Sequence, residues 1–530
     1  MKTLVRVAAA QFAVTTDIQA NLQTCLRVID EAAMHKPQLV VLPEFCNHLA
    51  WWRDAAHCME TAVNLDGDFL SAIAERAKRH GMLVKVNVTL RRNGFVTGTN
   101  VLVSPEGERI GVGDKQVLMG NENNFLTRAT ECTPIVETGI GKIGMYCCMD
   151  GVVNEVTRSL ALRGAQILAN SLNSFAHDEA ALHVPVRAAE NKVFVVAACK
   201  VGTLVPPDML DAVATRMQIA PTFLHGAGES QIVSPSGSVL AIAPRAGEAV
   251  VWADIDPNEA NDKRRPDGTD IFATRRPKLY RPIAQSPKPR EAKLGVDEAD
   301  VAVLIPRVGE NLQETICNAA TNCRLIVLPE LFNLSTFQPS NAPHMLIDSI
   351  KAALTNSECL VATSIVENEA HVGVLISSQG IVHRQKQLHR SERNAWIRNF
   401  GDSLDVYDAD WARLAIILGD DSIYPETFRL AALQNVEVVA VLAWLQEKWE
   451  IEIGLPERAA ENRIAIVCAN TPRQAMNVFG GVFASGHDFT LWTEWESRPF
   501  DGNINTPIVS LARDFGLTRG KIYPSASANR

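Results

Sequence analysis

The chain has 530 residues, 47% of them hydrophobic and 21% charged, with a formal net charge of −9. That apolar content excludes disorder as the main state, and the acidic balance argues against nucleic acid as the main partner, which ordinarily meets a basic face. No run of about 18 apolar residues is present to span a membrane, and at roughly 150 residues per domain the length predicts two to four domains.

Val5 to Phe12 reads as a buried strand. Arg6 and Gln11 break its apolar stretch, unlike the unbroken core of a secretory signal peptide, so no export is expected. Ile18 to Met34 carries apolar residues at helical spacing, and Leu39 to Leu42 is a short buried strand ending near Glu44. Lys142 to Cys147 reads as a strand, Val152 to Arg163 as a helix, and a further strand starts at Ile167. This alternation predicts an α/β domain with mixed sheets and outer helices. The 11 cysteines form no C-x-x-C pair, and only Cys147 and Cys148 are adjacent. Neither a disulfide framework nor a zinc site is expected, which fits a cytosolic protein without a metal.

The chain repeats itself. Val41-Leu42-Pro43-Glu44 recurs as Val327-Leu328-Pro329-Glu330, and Arg187-Ala188-Ala189-Glu190-Asn191 recurs as Arg458-Ala459-Ala460-Glu461-Asn462, 271 residues later (458 − 187). The same offset aligns Lys115 with Lys386, Asp150 with Asp421, Glu155 with Glu426 and Arg158 with Arg429. Repeats this long indicate a duplicated domain rather than a solenoid. Ala284 to Val296 is rich in proline and charge and reads as a linker. The division is therefore 1–283, a linker 284–296, and 297–530.

Three places could carry chemistry. Glu44 ends an apolar strand, where α/β folds place functional groups, although a solvated strand-end glutamate is the plainer reading. Lys115 follows a Gly-rich turn, and Glu122 lies seven residues on; each alone could be an ordinary surface group. Gly144 to Gly151 reads as strand, sharp turn and helix, with Asp150 as helix N-cap. A cysteine at such an elbow would face backbone N–H groups, which lower a thiol pKa and can hold an oxyanion; the alternative is a pair of buried core cysteines. Cys147 aligns with Leu418 and Cys148 with Gly419, so Cys147 behaves as a packing position and Cys148 as the variable one. A thiol, a base and a cation form a chemically sufficient set without metal or organic cofactor.

These segments together resemble the nitrilase (carbon–nitrogen hydrolase) superfamily. The resemblance rests on A-A-Q-F near the start, V-L-P-E-F at Glu44, D-K at Lys115 and E-N-N-F at Glu122. It continues through C-M-D-G at Cys148, R-A-A-E-N at Arg187 to Asn191, S-P-S-G at Ser234 to Gly237 and R-R-P-K-L-Y at Arg275 to Tyr280. It implies an αββα four-layer sandwich, present twice in tandem. By resemblance, Glu44 is the general base, Cys148 the nucleophile and Lys115 the oxyanion cation beside the N–H of Met149, while Glu122 positions the lysine. The implied reaction is hydrolysis of a small amide or N-carbamoyl compound through a thioester. Cys-Met-Asp resembles the amidases and carbamoylases; a nitrilase acting on a nitrile and a non-catalytic binding protein are the alternatives. Asn154 stands where the family usually has proline.

The second copy keeps Glu330, Lys386 and R-A-A-E-N, but Gly419 stands at the cysteine, so this copy is expected to be catalytically dead. Domains of this family pair face to face, so intramolecular pairing of the copies, and further homo-oligomers, are compatible with the resemblance. Trp51, Trp52 and His183 are candidates for the substrate pocket, with core packing or a structural role as alternatives, and His177 lies on the same segment as His183. The basic run Lys263 to Arg265, with Arg275 and Arg276, reads as a solvated face.

Overall fold

The computed structural model describes residues 4–286, 294–307, 309–332, 343–472, 476–488, 495 and 499–529. Residues 287–293 of the linker lie outside them. The chain packs as two compact units. One comprises Met1–Lys263 with Thr490–Ile504, the other Arg264–Phe489 with Asn505–Arg530.

The first unit contains β1 (Val5–Gln11), β2 (Leu39–Val41), β3 (Leu83–Arg91), β4 (Val96–Val103), β5 (Arg109–Asp114) and β6 (Ile135–Thr138). It continues with β7 (Gly141–Cys147), β8 (Ile167–Leu172), β9 (Phe194–Cys199), β10 (Gln231–Val233), β11 (Val239–Ile242) and β12 (Ala249–Ile255). Two six-stranded sheets result, ordered β12-β1-β2-β3-β4-β5 and β11-β10-β9-β8-β7-β6. The inner strands β1-β2-β3 and β7-β8-β9 are parallel, and the outer ones are antiparallel. β8 and β9 are buried along their whole length, as expected of parallel strands covered on both faces; β9 is an unbroken apolar run, while β8 carries Asn170 and Ser171 near its end.

The sheets pack face to face, β1 against β9 and β4 against β7, and helices cover both outer faces. The helix Ile18–Ala33 shows why these residues form the layer. Asp17 caps it by accepting from Gln19 and Ala20 N–H, and Leu22, Cys25, Ile29 and Ala32 bury one face at helical spacing. Each unit is thus an αββα sandwich. In the second unit the sheet orders repeat strand for strand, and one sheet runs Gly380–Lys386, Ala370–Ser377, Leu360–Glu367, Leu325–Val327, Ala299–Ile305, Gly516–Ile522.

Two readings of the sequence are corrected here. Residues 264–283, assigned by sequence to the first copy, pack with the second unit. The basic run is also not a solvated face. Arg265 is buried between Asp420 (2.9 Å) and Glu450 (3.0 Å), Arg275 pairs with Glu426 (2.8 Å), and Arg276 donates to the carbonyls of Leu388 and Gly401. Lys263, in the first unit, donates to the carbonyls of Asn191 and Lys192. These side chains complete the ends of other elements, which a charge count along the chain does not reveal. Among the described residues no helix is long and apolar enough to cross a membrane.

Candidate active site

The ends of strands leave backbone groups and side chains unclaimed by the sheet. In the first unit Glu44 follows β2, Lys115 follows β5 and Cys148 follows β7. Lys115 is fully buried, and its Nζ lies 2.8 Å from Glu44 Oε1 and 2.9 Å from Glu122 Oε1. Two carboxylates thus occupy two of the three ammonium donors, leaving one for another oxygen. Glu122 is fixed in turn by the N–H of Met119, 3.0 Å from Oε2. Glu44 Oε2 is buried without a hydrogen-bond partner among the described residues.

Cys148 opens the tight turn Cys148–Gly151 and adopts a left-handed conformation, φ +46°. A non-glycine residue pays about 1–3 kcal/mol for such strain, which is held where function or packing requires it. The turn is tied down by Asp150, which accepts from the N–H groups of Cys147, Gln116 and Val117. Asp150 is therefore not the expected helix N-cap, since the helix starts at Asn154. It clamps the cysteine turn onto the lysine loop. Asn170 Oδ1 accepts from Cys148 N–H at 3.2 Å.

The electrostatics correct a second expectation. Burial, and then the charge of Glu44, push the Cys148 thiol well above its ordinary pKa, and Lys115 only partly opposes them. The elbow therefore keeps a protonated thiol at rest, because the desolvation of a buried sulfur outweighs the backbone dipoles. Lys115 is held firmly protonated: burial would lower it, but Glu122 and Glu44 more than compensate. Burial raises Glu122 against the opposing charge of Lys115. The site thus has a protonated thiol, a fixed cation and a carboxylate with one oxygen uncommitted.

Glu44, Lys115, Glu122 and Cys148 are brought together, with Met149 inside the cysteine turn. Trp52 is buried with Phe45 and Phe125, and Phe45 in turn lies 5.5 Å from Lys115 Nζ, so Trp52 backs the lysine as packing. Trp51 is half-buried in a separate cluster with Phe175, Ala176 and Ile504. His183 is buried 4.0 Å from Asp178. Two groups were missed in the sequence. Glu179 is buried, and its charge bears on the Cys148 thiol. Lys200, directly after β9, is fully buried with no hydrogen-bond partner for its Nζ among the described residues. Burial takes its ammonium down to about 8, against the charges of Cys46, Glu44, Cys199 and Cys148. A lysine closing the apolar run Phe194 to Cys199, aligned with Thr471 in the other copy, was its visible signal. Among the described residues no group of three or more His, Cys, Asp or Glu is arranged to hold a metal ion.

The second unit shows what the same scaffold becomes without the thiol. Asp421 accepts from Leu388 and His389 N–H as Asp150 does from Gln116 and Val117. That equivalence places Gln387, not Lys386, at the position of Lys115. One residue has been lost between this position and the aspartate (150 − 115 against 421 − 387), so the 271-residue offset slips by one. Lys386 points outward and donates to Asn399 (2.9 Å), while Gln387 is buried against His371. Both the cysteine and the buried lysine are therefore absent from this unit. Arg393 instead pairs with Glu330 and, at 3.0 Å, with Asp420, and Arg265 holds Asp420 from the other side. Burial would raise Asp420, but the two guanidinium groups take it down to about 2. A Cβ at Gly419 would overlap Glu330 Oε2.

Residues 6–265 and again 295–493 match the sequence profile of the family described as Carbon-nitrogen hydrolase. The chain is similar to a nitrilase of Pyrococcus abyssi, 29% identical over 261 residues, covering 49% of this chain and 92% of the relative. It is similar to the deaminated glutathione amidase of Mus musculus, 27% identical over 294 residues, covering 52% and 84%. It is also similar to the N-carbamoylputrescine amidase of Solanum tuberosum, 25% identical over 299 residues, covering 52% and 94%. With two tandem stretches of the profile and two αββα units, this chain belongs to the carbon–nitrogen hydrolase family.

Proposed function

We propose that the first unit hydrolyses the C–N bond of a small amide or N-carbamoyl compound through a Cys148 thioester. The observation that carries this reading is the buried Glu44–Lys115–Glu122 set beside a strained cysteine, in one unit of the two. Glu44 takes the thiol proton as Sγ attacks the carbonyl carbon, so the raised thiol pKa makes the base necessary rather than optional. The carbonyl π electrons move to oxygen, where the remaining Lys115 donor and the Met149 N–H stabilise them. Collapse of the tetrahedral species breaks the C–N bond, and the leaving nitrogen takes the proton from Glu44. Water, deprotonated by Glu44, attacks the thioester, and the acid leaves as the thiol is reprotonated.

Relatives named amidases support this substrate class, and a relative named nitrilase makes nitriles the competing one. Ammonia release from a panel of amides, ureido acids and nitriles tests it. Cys148→Ala abolishes release and Cys147→Ala retains it. Release that survives Cys148→Ala, or a chain active on nitriles alone, overturns the reading.

A further inference from the structure

The two copies differ most in two connections. β9 and β10 are joined by residues 200–230, while the equivalent strands Ala465–Asn470 and Gly480–Ala484 are joined by 471–479 alone. Conversely β10 and β11 are joined by the short turn 234–238, while Gly480–Ala484 and Ile508–Ala512 are joined by 485–507. Each copy has one long connection that its counterpart lacks, and part of the second one, Thr490–Ile504, belongs to the first unit.

Its described residues have specific partners there. The Phe500 ring lies 4.9 Å from Phe223, on the long connection of the first copy, and 4.9 Å from Trp495. Ile504 is buried with Ala176, Val205 and Leu224. Gly502 O accepts from His177 N–H at 2.8 Å, and Asp178 Oδ2 accepts from Ile504 N–H at 3.0 Å. Gly502 has φ +93°, and a Cβ there would overlap the His177 ring, so this contact requires glycine. Two consecutive residues, His177 and Asp178, are thus held by a segment more than 320 positions away in the chain, and the next residue is the buried Glu179 that bears on Cys148.

We infer that Phe500, Gly502 and Ile504 of the second copy form a strap that positions the 174–183 loop over the Cys148 site of the first. This assigns the degenerate copy a role: it supplies, from the same chain, a wall element that the working copy does not encode in its own sequence. The link to turnover rests on the proposed amidase reading; the link to loop order does not.

The test uses the full chain with Gly502→Val, Phe500→Ala and, as a control from the same connection, Asn503→Ala. Hydrogen exchange is read on the amides of 174–183, iodoacetamide alkylation is followed on the Cys148 peptide, and kcat and KM are measured on whichever amide the wild type hydrolyses. In folded Gly502→Val and Phe500→Ala, exchange in the loop rises at least tenfold, Cys148 alkylation accelerates at least threefold and kcat falls at least tenfold. Asn503→Ala leaves all three unchanged. Unaltered exchange and alkylation in both strap variants, or the same changes in the control, overturn the inference. A wild type that releases no ammonia, with the loop still loosened by Gly502→Val, sinks the amidase reading and leaves the strap standing.

Discussion

Lys200→Met is the perturbation whose size the structure fixes best. Lys200 is fully buried, its ammonium makes no hydrogen bond among the described residues, and burial depresses it from 10.5 to about 8. A 2.5-unit depression at about 1.36 kcal/mol per unit is a native-state cost of about 3 kcal/mol. Because the folded pKa lies below the unfolded one, the unfolded chain binds the extra proton. The cost is therefore complete below pH 8 and is relieved as pH rises toward 10.5. Methionine has nearly the same length and no charge, so the first unit of Lys200→Met is more stable than wild type at pH 7 by about 2–3 kcal/mol. The gain shrinks to nothing near pH 10.5. Native-state hydrogen exchange on the β9 amides reads this unit separately from the other. Lys85, also taken to about 8 by burial, is bonded to Ser171 and the Tyr146 carbonyl and is common to both proteins. A less stable Lys200→Met at pH 7, or a gain that does not change with pH, would mean that the ammonium is paired and that the electrostatic account is wrong. The same variant loses kcat/KM at least tenfold, since the buried Lys200 charge interacts with both Glu44 and Cys148 and is kept at a stability cost.

Gly419→Cys does not create a second active site and lowers the stability of the second unit by about 1–3 kcal/mol in denaturant unfolding, because its Cβ meets Glu330 Oε2 where Arg393 has closed the space. Ammonia release by this variant in a Cys148→Ala background would contradict the reading of a filled site. Lys115→Ala strands Glu44 and Glu122 together in a buried site and costs about 3–5 kcal/mol along with activity, while Lys386→Ala on the exposed face changes stability by less than about 0.5 kcal/mol. Equal effects of the two on melting and turnover would refute the Gln387 equivalence.

Much of this was legible in the sequence because duplication supplies an internal comparison. Alternating strand and helix patterns carried only the α/β class with mixed sheets; the αββα layering and the grouping of Glu44, Lys115 and Cys148 came from the family resemblance of the segments around them. The Lys386 assignment failed for a definite reason. A constant offset is blind to a single lost residue in a loop, and only the backbone bonds to Asp150 and Asp421 reveal the slip. The expected low thiol pKa failed because spacing shows dipoles but not desolvation. Arg265 and Arg393 were illegible as a site filler because their partners lie far away in sequence. The strap was equally hidden, since nothing in residues 499–504 announces that Gly502 will meet His177.

Intact-mass and peptide analysis of the full chain during turnover of a hydrolysed amide tests the central claim most directly. The account predicts one acyl adduct, on the Cys148 peptide, lost on hydrolysis and absent from Cys148→Ala. An adduct on Cys147 or on a residue of the second unit, or steady ammonia release with no covalent adduct at Cys148 under rapid quench, would contradict it.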